Sequence, residues 1–225
     1  KRRGGPRERP VELESLPGRI IMYIYLIRHG ETIWNAAGKA QGTRNVPLSD
    51  RGIQQAGALA DRLSGEKRLS ALFCSNLRRA YQTAADLGNK LGLVPEKEKT
   101  LREVCFGDWE GLTIRQIEEK YPGQLALRNT DFDFSPPGGE SIRSARERVH
   151  RFFALLQGKH FKEESQVVIV AHAFSARLLL LELMDFPLEF LWSFRLDNAG
   201  ISLLQRNSQR KRILYLNDTC HLHRM

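Results

Sequence analysis

Residues 20–30 read IIMYIYLIRHG, an apolar run that stops abruptly at Arg28, His29 and Gly30. Tyr23 to Ile27 is apolar at every position rather than at alternate ones. A run this short, rich in β-branched and aromatic residues, reads as a strand buried on both faces. It falls short of the roughly 18 to 20 residues a membrane helix needs, and it lacks the small-residue cleavage site of a signal peptide. Two more strands of the same character lie at Ala71 to Cys74 and at Val167 to Ala171.

Between these strands the apolar spacing turns helical. Ser49 can cap a helix running to about Leu63, with Ala56, Leu59, Ala60 and Leu63 on one face. A second helix is expected from about Leu77 to Leu91, and Val94 begins a short extended piece before the loop Leu101 to Gly111. Thr113 caps a short helix closed by Pro122. Ser135, Pro136, Pro137, Gly138 and Gly139 are turn residues, after which Ser141 caps a long helix through about Leu156. A helix over Phe174 to Met184 and two strands, near Ile201 to Gln205 and Arg212 to Asn217 around a polar turn at Asn207 to Gln209, complete the pattern. Alternating strands and helices predict an α/β fold: a single domain with a mostly parallel sheet flanked by helices, in three α/β/α layers. Residues 1–21 are expected to form a flexible extension, and residues 22–225 the folded domain.

The formal charge of +9 suggests nucleic acid until it is mapped along the chain. Residues 1–19 carry +3 and residues 205–225 carry +4, which leaves +2 for everything between. A nearly neutral body without zinc-finger or RNP-like spacing argues against a nucleic-acid partner, and no apolar run argues for a membrane. Cys74, Cys105 and Cys220 are odd in number and widely spaced, so they offer neither a disulfide framework nor a CxxC motif, and a reducing cytoplasm is the expected location. Cys220, His221 and His223 are near neighbours in sequence, but the reading preferred for them is a polar stretch, with no metal expected.

Placement says more than residue type. Arg28 and His29 follow the first strand, Ser75 to Arg79 the second and His172 the third. In an open α/β sheet, ligands bind beyond the carboxyl ends of parallel strands, so three separate segments aim at one crevice. Two imidazoles and at least two guanidiniums there suit a phosphoryl group: arginine offers paired planar donors, and histidine can act as nucleophile or proton carrier. GxxxxGK[ST], GxGxxG and HExxH are all absent, so charge compensation has to come from side chains.

The run Leu26-Ile27-Arg28-His29-Gly30-Glu31-Thr32-Ile33-Trp34-Asn35 resembles the signature of the histidine phosphatase superfamily, the phosphoglycerate mutase-like family. The resemblance continues through Asn45, Pro47, Leu48, Ser49, Gly52, Gln55 and Ala56, then Ser75, Leu77, Arg79, Ala80 and Thr83. It goes on through Leu101, Arg102, Glu103, Gly107, Trp109, Glu110 and Gly111, then Pro137 to Ser141, Val170 to His172, and Leu216 to Thr219. It implies a phosphoglycerate mutase-like fold with His29 as the phosphorylated nucleophile. Arg28, Arg79 and His172 would form the phosphate pocket, and Glu103 would donate a proton to the leaving alcohol. Asn35, Gln41 and the backbone at Gly42 resemble secondary substrate contacts. Ala173 stands where many relatives have glycine, so its Cβ narrows the pocket or excludes a positive φ. Arg78 is expected to point away.

The stretch from Glu103 to His172 is too short for the insertion common in the mutases, which favours a phosphatase. The PPGGES segment and LNDTCHL look most like the α-ribazole phosphatase and broad-specificity branches. The expected activity is hydrolysis of a small phosphomonoester such as α-ribazole 5′-phosphate. A mutase-type phosphotransferase and a silent phospholigand-binding module are the alternatives. The resemblance implies no cofactor, and the partners expected are a small phosphorylated metabolite and a second copy of the chain in a homodimer.

Overall fold

The computed structural model describes residues 21–66, 68–160 and 165–223. The extension expected over residues 1–21 lies outside these apart from Ile21, which is buried and accepts the Ser165 N–H. In chain order the elements are β1 (Met22–Arg28), α1 (Ile33–Ala36), α2 (Asp50–Leu63), β2 (Leu69–Ser75), α3 (Arg78–Leu91) and β3 (Glu96–Glu98). Then follow α4 (Ile114–Lys120), α5 (Gln124–Thr130), α6 (Ile142–His160), β4 (Ser165–Ala171), α7 (Ala173–Met184), β5 (Ile201–Arg206) and β6 (Lys211–Asp218).

The six strands form one sheet in the order β3-β2-β4-β1-β5-β6. β3, β2, β4 and β1 run parallel, while β5 and β6 are antiparallel additions beside β1. β1 therefore lies inside the sheet, with Leu26 level with Ile169 of β4 on one side and Ser202 of β5 on the other. This explains its uninterrupted apolar sequence, since both faces are covered. Met22, Ile24 and Leu26 face α6 and α7, through Phe152, Leu156, Leu179 and their neighbours. Tyr23, Tyr25 and Ile27 face α2 and α3, through Leu59, Leu63, Ala84 and Leu87. Helices thus cover both faces, and the three layers follow from the period-two alternation of β1 side chains.

The local signals behave as their chemistry requires. Ser49 Oγ accepts the Gly52 N–H at 3.1 Å to start α2, and Thr113 and Gln116 form a reciprocal capping box on α4. Asn207 Oδ1 accepts the Gln209 and Arg210 N–H groups in the β5–β6 turn. One expectation needs correcting. The piece expected to begin at Val94 is a strand only over Glu96–Glu98, and Val94 itself is exposed, because only three residues reach β2 at the sheet edge. After Pro122, where the sequence pattern assigned no element, the chain forms the helix α5.

Candidate active site

The carboxyl ends of β1, β2 and β4 lie side by side, and the segments leaving them meet there. The chain turns out of β1 at His29, whose N–H donates to Ala171 O at 3.0 Å. Gly30 follows because α2 approaches closely: a Cβ at Gly30 would stand 2.6 Å from Gly52 O, and one at Gly52 would stand 1.9 Å from Glu31 O. Thr83 Oγ1 accepts the Gly30 N–H at 3.1 Å, which ties this turn to α3.

The His29 ring is 2 % exposed and held at both nitrogens. Nδ1 lies 2.6 Å from Gly30 O, and Nε2 accepts the Arg79 Nε–H at 3.1 Å. A nitrogen that accepts carries no proton, so the proton resides on Nδ1 and Nε2 holds its lone pair toward Arg79. Burial, reinforced by the Arg79 and Arg28 cations, holds the His29 pKa well below its usual value and keeps the ring neutral.

Arg79 is fixed by two more hydrogen bonds, to Arg44 O and Gly42 O, each 2.8 Å. Burial lowers its pKa to about 10, so it remains a cation at neutral pH. Gly42 takes φ +51°, and a Cβ there would meet the Glu110 carboxylate, so the turn that presents its carbonyl needs glycine. Arg28 donates to Leu196 O at 2.8 Å through Nη1, while its Nε is buried without a protein partner. His172 is fully buried, its ring centroid 5.0 Å from that of His29, and neither of its nitrogens has a partner. Burial and then the Arg79 cation push its pKa well below the usual value. Buried polar atoms without partners are costly, and here they include Arg28 Nε, next to His29 in the chain, and both ring nitrogens of His172, whose ring packs against that of His29.

Glu103 has a position that its sequence context did not foretell. Its Oε1 accepts N–H groups from Val104, Phe174 and Ser175 at 3.0 to 3.1 Å, and Oε2 accepts from Phe174 at 3.1 Å. Phe174 and Ser175 are in the first turn of α7, immediately after His172. Glu103 therefore supplies the acceptors that this helix start would otherwise lack.

The loop carrying Glu103 is clamped by the PPGGE segment. Asp108 N–H donates to Pro137 O, Glu140 N–H to Cys105 O and Cys105 N–H to Glu140 Oε1. Arg148 of α6 bonds Glu140 and three carbonyls of residues 100–103. Glu110 accepts from Thr43, Phe106 and Arg44, closing the loop on the Gly42 turn.

Of the expected substrate contacts, Gln41 is buried with Oε1 unpartnered. Asn35 Oδ1 accepts the Thr32 N–H and hydroxyl, so that oxygen is engaged in starting α1. Ala173 is not among the positive-φ residues; as the first residue of α7 it tolerates a Cβ without strain. Arg78 is exposed, as expected. Sequence reading missed Arg128 of α5 and Arg177 of α7, both electrostatically coupled to Glu103. It also missed Asn198, whose Nδ2 donates to His29 O at 3.0 Å. No local motif marks any of the three. Among the described residues no three His, Cys, Asp or Glu side chains form a metal-binding group, and none of the three cysteines is in a disulfide.

A mostly parallel sheet that gathers two buried imidazoles and two guanidiniums at the carboxyl ends of three neighbouring strands has the chemistry to hold a phosphoryl group, and comparison supplies the family. The chain belongs to the histidine phosphatase superfamily (branch 1), whose model matches residues 24–219. It is 35% identical over 204 residues to phosphoserine phosphatase 1 of Hydrogenobacter thermophilus, covering 88% of this chain and 93% of that protein. It is 32% identical over 201 residues to the adenosylcobalamin/alpha-ribazole phosphatase of Escherichia coli (strain K12), covering 87% of this chain and 96% of that protein. The solved mycobacterial glucosyl-3-phosphoglycerate phosphatase in complex with VO3 superposes with a TM-score of 0.79 at 32% identity, over 90% of this chain and 100% of the other.

Proposed function

We propose that the chain is a metal-independent phosphatase that hydrolyses a small phosphomonoester through a phosphohistidine on His29. The observation that carries this reading is the fixed tautomer of His29: Gly30 O accepts the Nδ1–H, so Nε2 keeps an unprotonated lone pair beside the Arg79 guanidinium, with the His172 ring packed against the His29 ring. Nε2 attacks phosphorus, the P–O bond to the alcohol breaks, and Glu103 gives its proton to the departing oxygen. Glu103 then takes a proton from water as that water attacks phosphorus, the N–P bond breaks, and inorganic phosphate leaves. Arg28, Arg79 and His172 hold the equatorial oxygens and supply the charge stabilisation that Mg²⁺ provides in kinases. Asn35, Gln41, Gly42 and Ala173 border this pocket in the same reading.

Rapid quenching during turnover of a 32P-labelled ester should trap acid-labile phosphate on the wild type and none on His29→Asn. Turnover should survive EDTA. Normal turnover without phosphoenzyme, or loss with EDTA restored by Mg²⁺ or Zn²⁺, would overturn the mechanism. Isomerisation of 3-phosphoglycerate faster than phosphate release would make the chain a mutase, and phosphate binding without turnover would make it a binding module. The named relatives offer phosphoserine, α-ribazole 5′-phosphate and glucosyl-3-phosphoglycerate as candidate esters. The reading places the enzyme in the cytoplasm, acting on a metabolite.

A further inference from the structure

Two arginines near the site have no role in the mechanism above. Arg128 is nine-tenths buried, its Nη2 has no partner, and its side chain makes no hydrogen bond among the described residues. It is held instead by rings: its guanidinium carbon lies 4.2 Å from the centroid of Phe174, 4.8 Å from Phe106 and 5.8 Å from Trp192. Phe174 meets Phe106 and Trp192 edge to face, so the three rings form one aromatic collar. Arg177 lies against the same Phe174 ring at 5.5 Å, and its Nε is also buried without a partner. Stacking uses the faces of a guanidinium and leaves its in-plane N–H donors unspent.

The position of this pair is fixed by Phe174, which carries the rings at its side chain and the Glu103 carboxylate at its N–H. Arg128 and Arg177 repel each other, and each is attracted to Glu103, as are Arg28 and Arg79. Four guanidiniums are therefore within electrostatic reach of the Glu103 carboxylate. Asp197, the other acid near Arg28 and Arg177, is bonded to Arg195 and Asn217, and Glu110 near Arg79 is bonded to Arg44. A phosphate monoester brings about two negative charges against these four cations, so positive charge is left over on the side of Arg128 and Arg177 whether Glu103 is ionised or carries the proton it donates. A carboxylate offsets that charge and offers the paired coplanar acceptors that the planar fork of a guanidinium matches.

We propose that Arg128 and Arg177 form a carboxylate subsite, so that the substrate is a small phosphorylated carboxylic acid with its phosphate at His29. The proposal rests on the phosphatase reading above but fails separately from it. The test uses ester pairs that differ only at the carboxyl group: O-phosphoserine against O-phosphoethanolamine, and 3-phosphoglycerate against glycerol 3-phosphate. In the wild type the carboxylated member should have the higher kcat/KM by about 10- to 100-fold, because a buried donor left unpaired penalises the analogue. In Arg128→Gln and Arg177→Gln that ratio should fall toward one through KM, and Arg128→Lys should restore part of it.

Binding gives a second measurement that needs no turnover. Thermal stabilisation by 3-phosphoglycerate should exceed that by glycerol 3-phosphate in the wild type, and the excess should vanish in Arg128→Gln. Equal kcat/KM within the pairs, a ratio unchanged by the variants, or a better substrate without a carboxylate, such as α-ribazole 5′-phosphate or a sugar bisphosphate, overturns the subsite and leaves the phosphatase intact. An absence of hydrolysis with the binding difference preserved overturns the phosphatase and keeps the subsite.

Discussion

At His29 a single carbonyl does much of the chemical work. By accepting the Nδ1–H, Gly30 O leaves Nε2 unprotonated for the attack proposed above, and burial beside Arg79 keeps the ring uncharged below the pH at which free histidine protonates. The acid limb of kcat/KM arising from His29 should therefore lie below pH 6.5, and an acid limb above that value would contradict a depressed pKa. The same depression has a cost in stability. Below pH 6.5 the unfolded chain binds protons at His29 and His172 that the folded chain refuses, so stability rises with pH through this window and is lost as pH falls. Melting temperature should drop between pH 7 and pH 5.5, above the range where carboxylates titrate. His29→Asn combined with His172→Gln should flatten that drop, and an unchanged slope in the double variant would show that other groups cause it.

Glu103→Gln keeps an oxygen that can accept the three N–H groups now on Oε1, so the fold should persist while the transferable proton is lost. Turnover of alkyl phosphates should fall about 10²- to 10⁴-fold, with p-nitrophenyl phosphate much less affected because nitrophenolate leaves unaided. Equal losses for both esters would remove Glu103 from the proton-donor role. The identities of His29, Arg28, Arg79, Glu103 and His172 were legible in the sequence because each follows a strand or sits in a family motif. Arg128 and Arg177 were not, since their setting is made by rings from three distant segments and no spacing along the chain encodes it.

At the level of elements, helices and strands with a strong period were readable to within a few residues, while α5 was not. Its sequence QLALRNT is short and mixed, and its start is a left-handed Gly123 rather than a Ser or Asp cap. Motif residues without evident chemistry prove to be fasteners: the PPGGE segment and Arg148 grip the loop that carries Glu103, and Asn217 holds Asp197. Their resemblance to one branch of the family therefore reports on loop support as much as on substrate. The tightest fastener is the contact of α2 with the nucleophile turn. Gly52→Ala would drive a Cβ into Glu31 O, a backbone atom that can yield only by moving the turn after His29. That variant should lose activity at least tenfold and melt earlier, by about 1–3 kcal/mol of overpacking strain. Ser49→Ala, which removes only the α2 cap, should cost about 0.5–2 kcal/mol with KM for the phosphate ester little changed. Full activity in Gly52→Ala would show that the close approach is dispensable.

Across the whole molecule, the sequence order of the sheet differs sharply from its spatial order. β1 comes first yet lies between β4 and β5, so its two edges are covered by strands that begin at Ser165 and Ile201. The alternation of strands and helices announced the parallel half of this sheet, but nothing in it revealed which strands would neighbour β1. Pairings of such long range fold slowly, and refolding from denaturant should be far slower than for a helical bundle of the same length. His29 itself is gripped by residues that lie far along the chain. Arg28 donates to Leu196 O, Ala199 N–H donates to Arg28 O and His29 O, and Asn198 donates to His29 O across 169 positions. On the ribosome, then, His29 emerges early and waits for a support translated more than 160 codons later. A nascent or prematurely terminated chain ending before residue 196 carries the His29 imidazole without the frame that aims it, so any turnover that depends on this histidine reports that translation has passed residue 199.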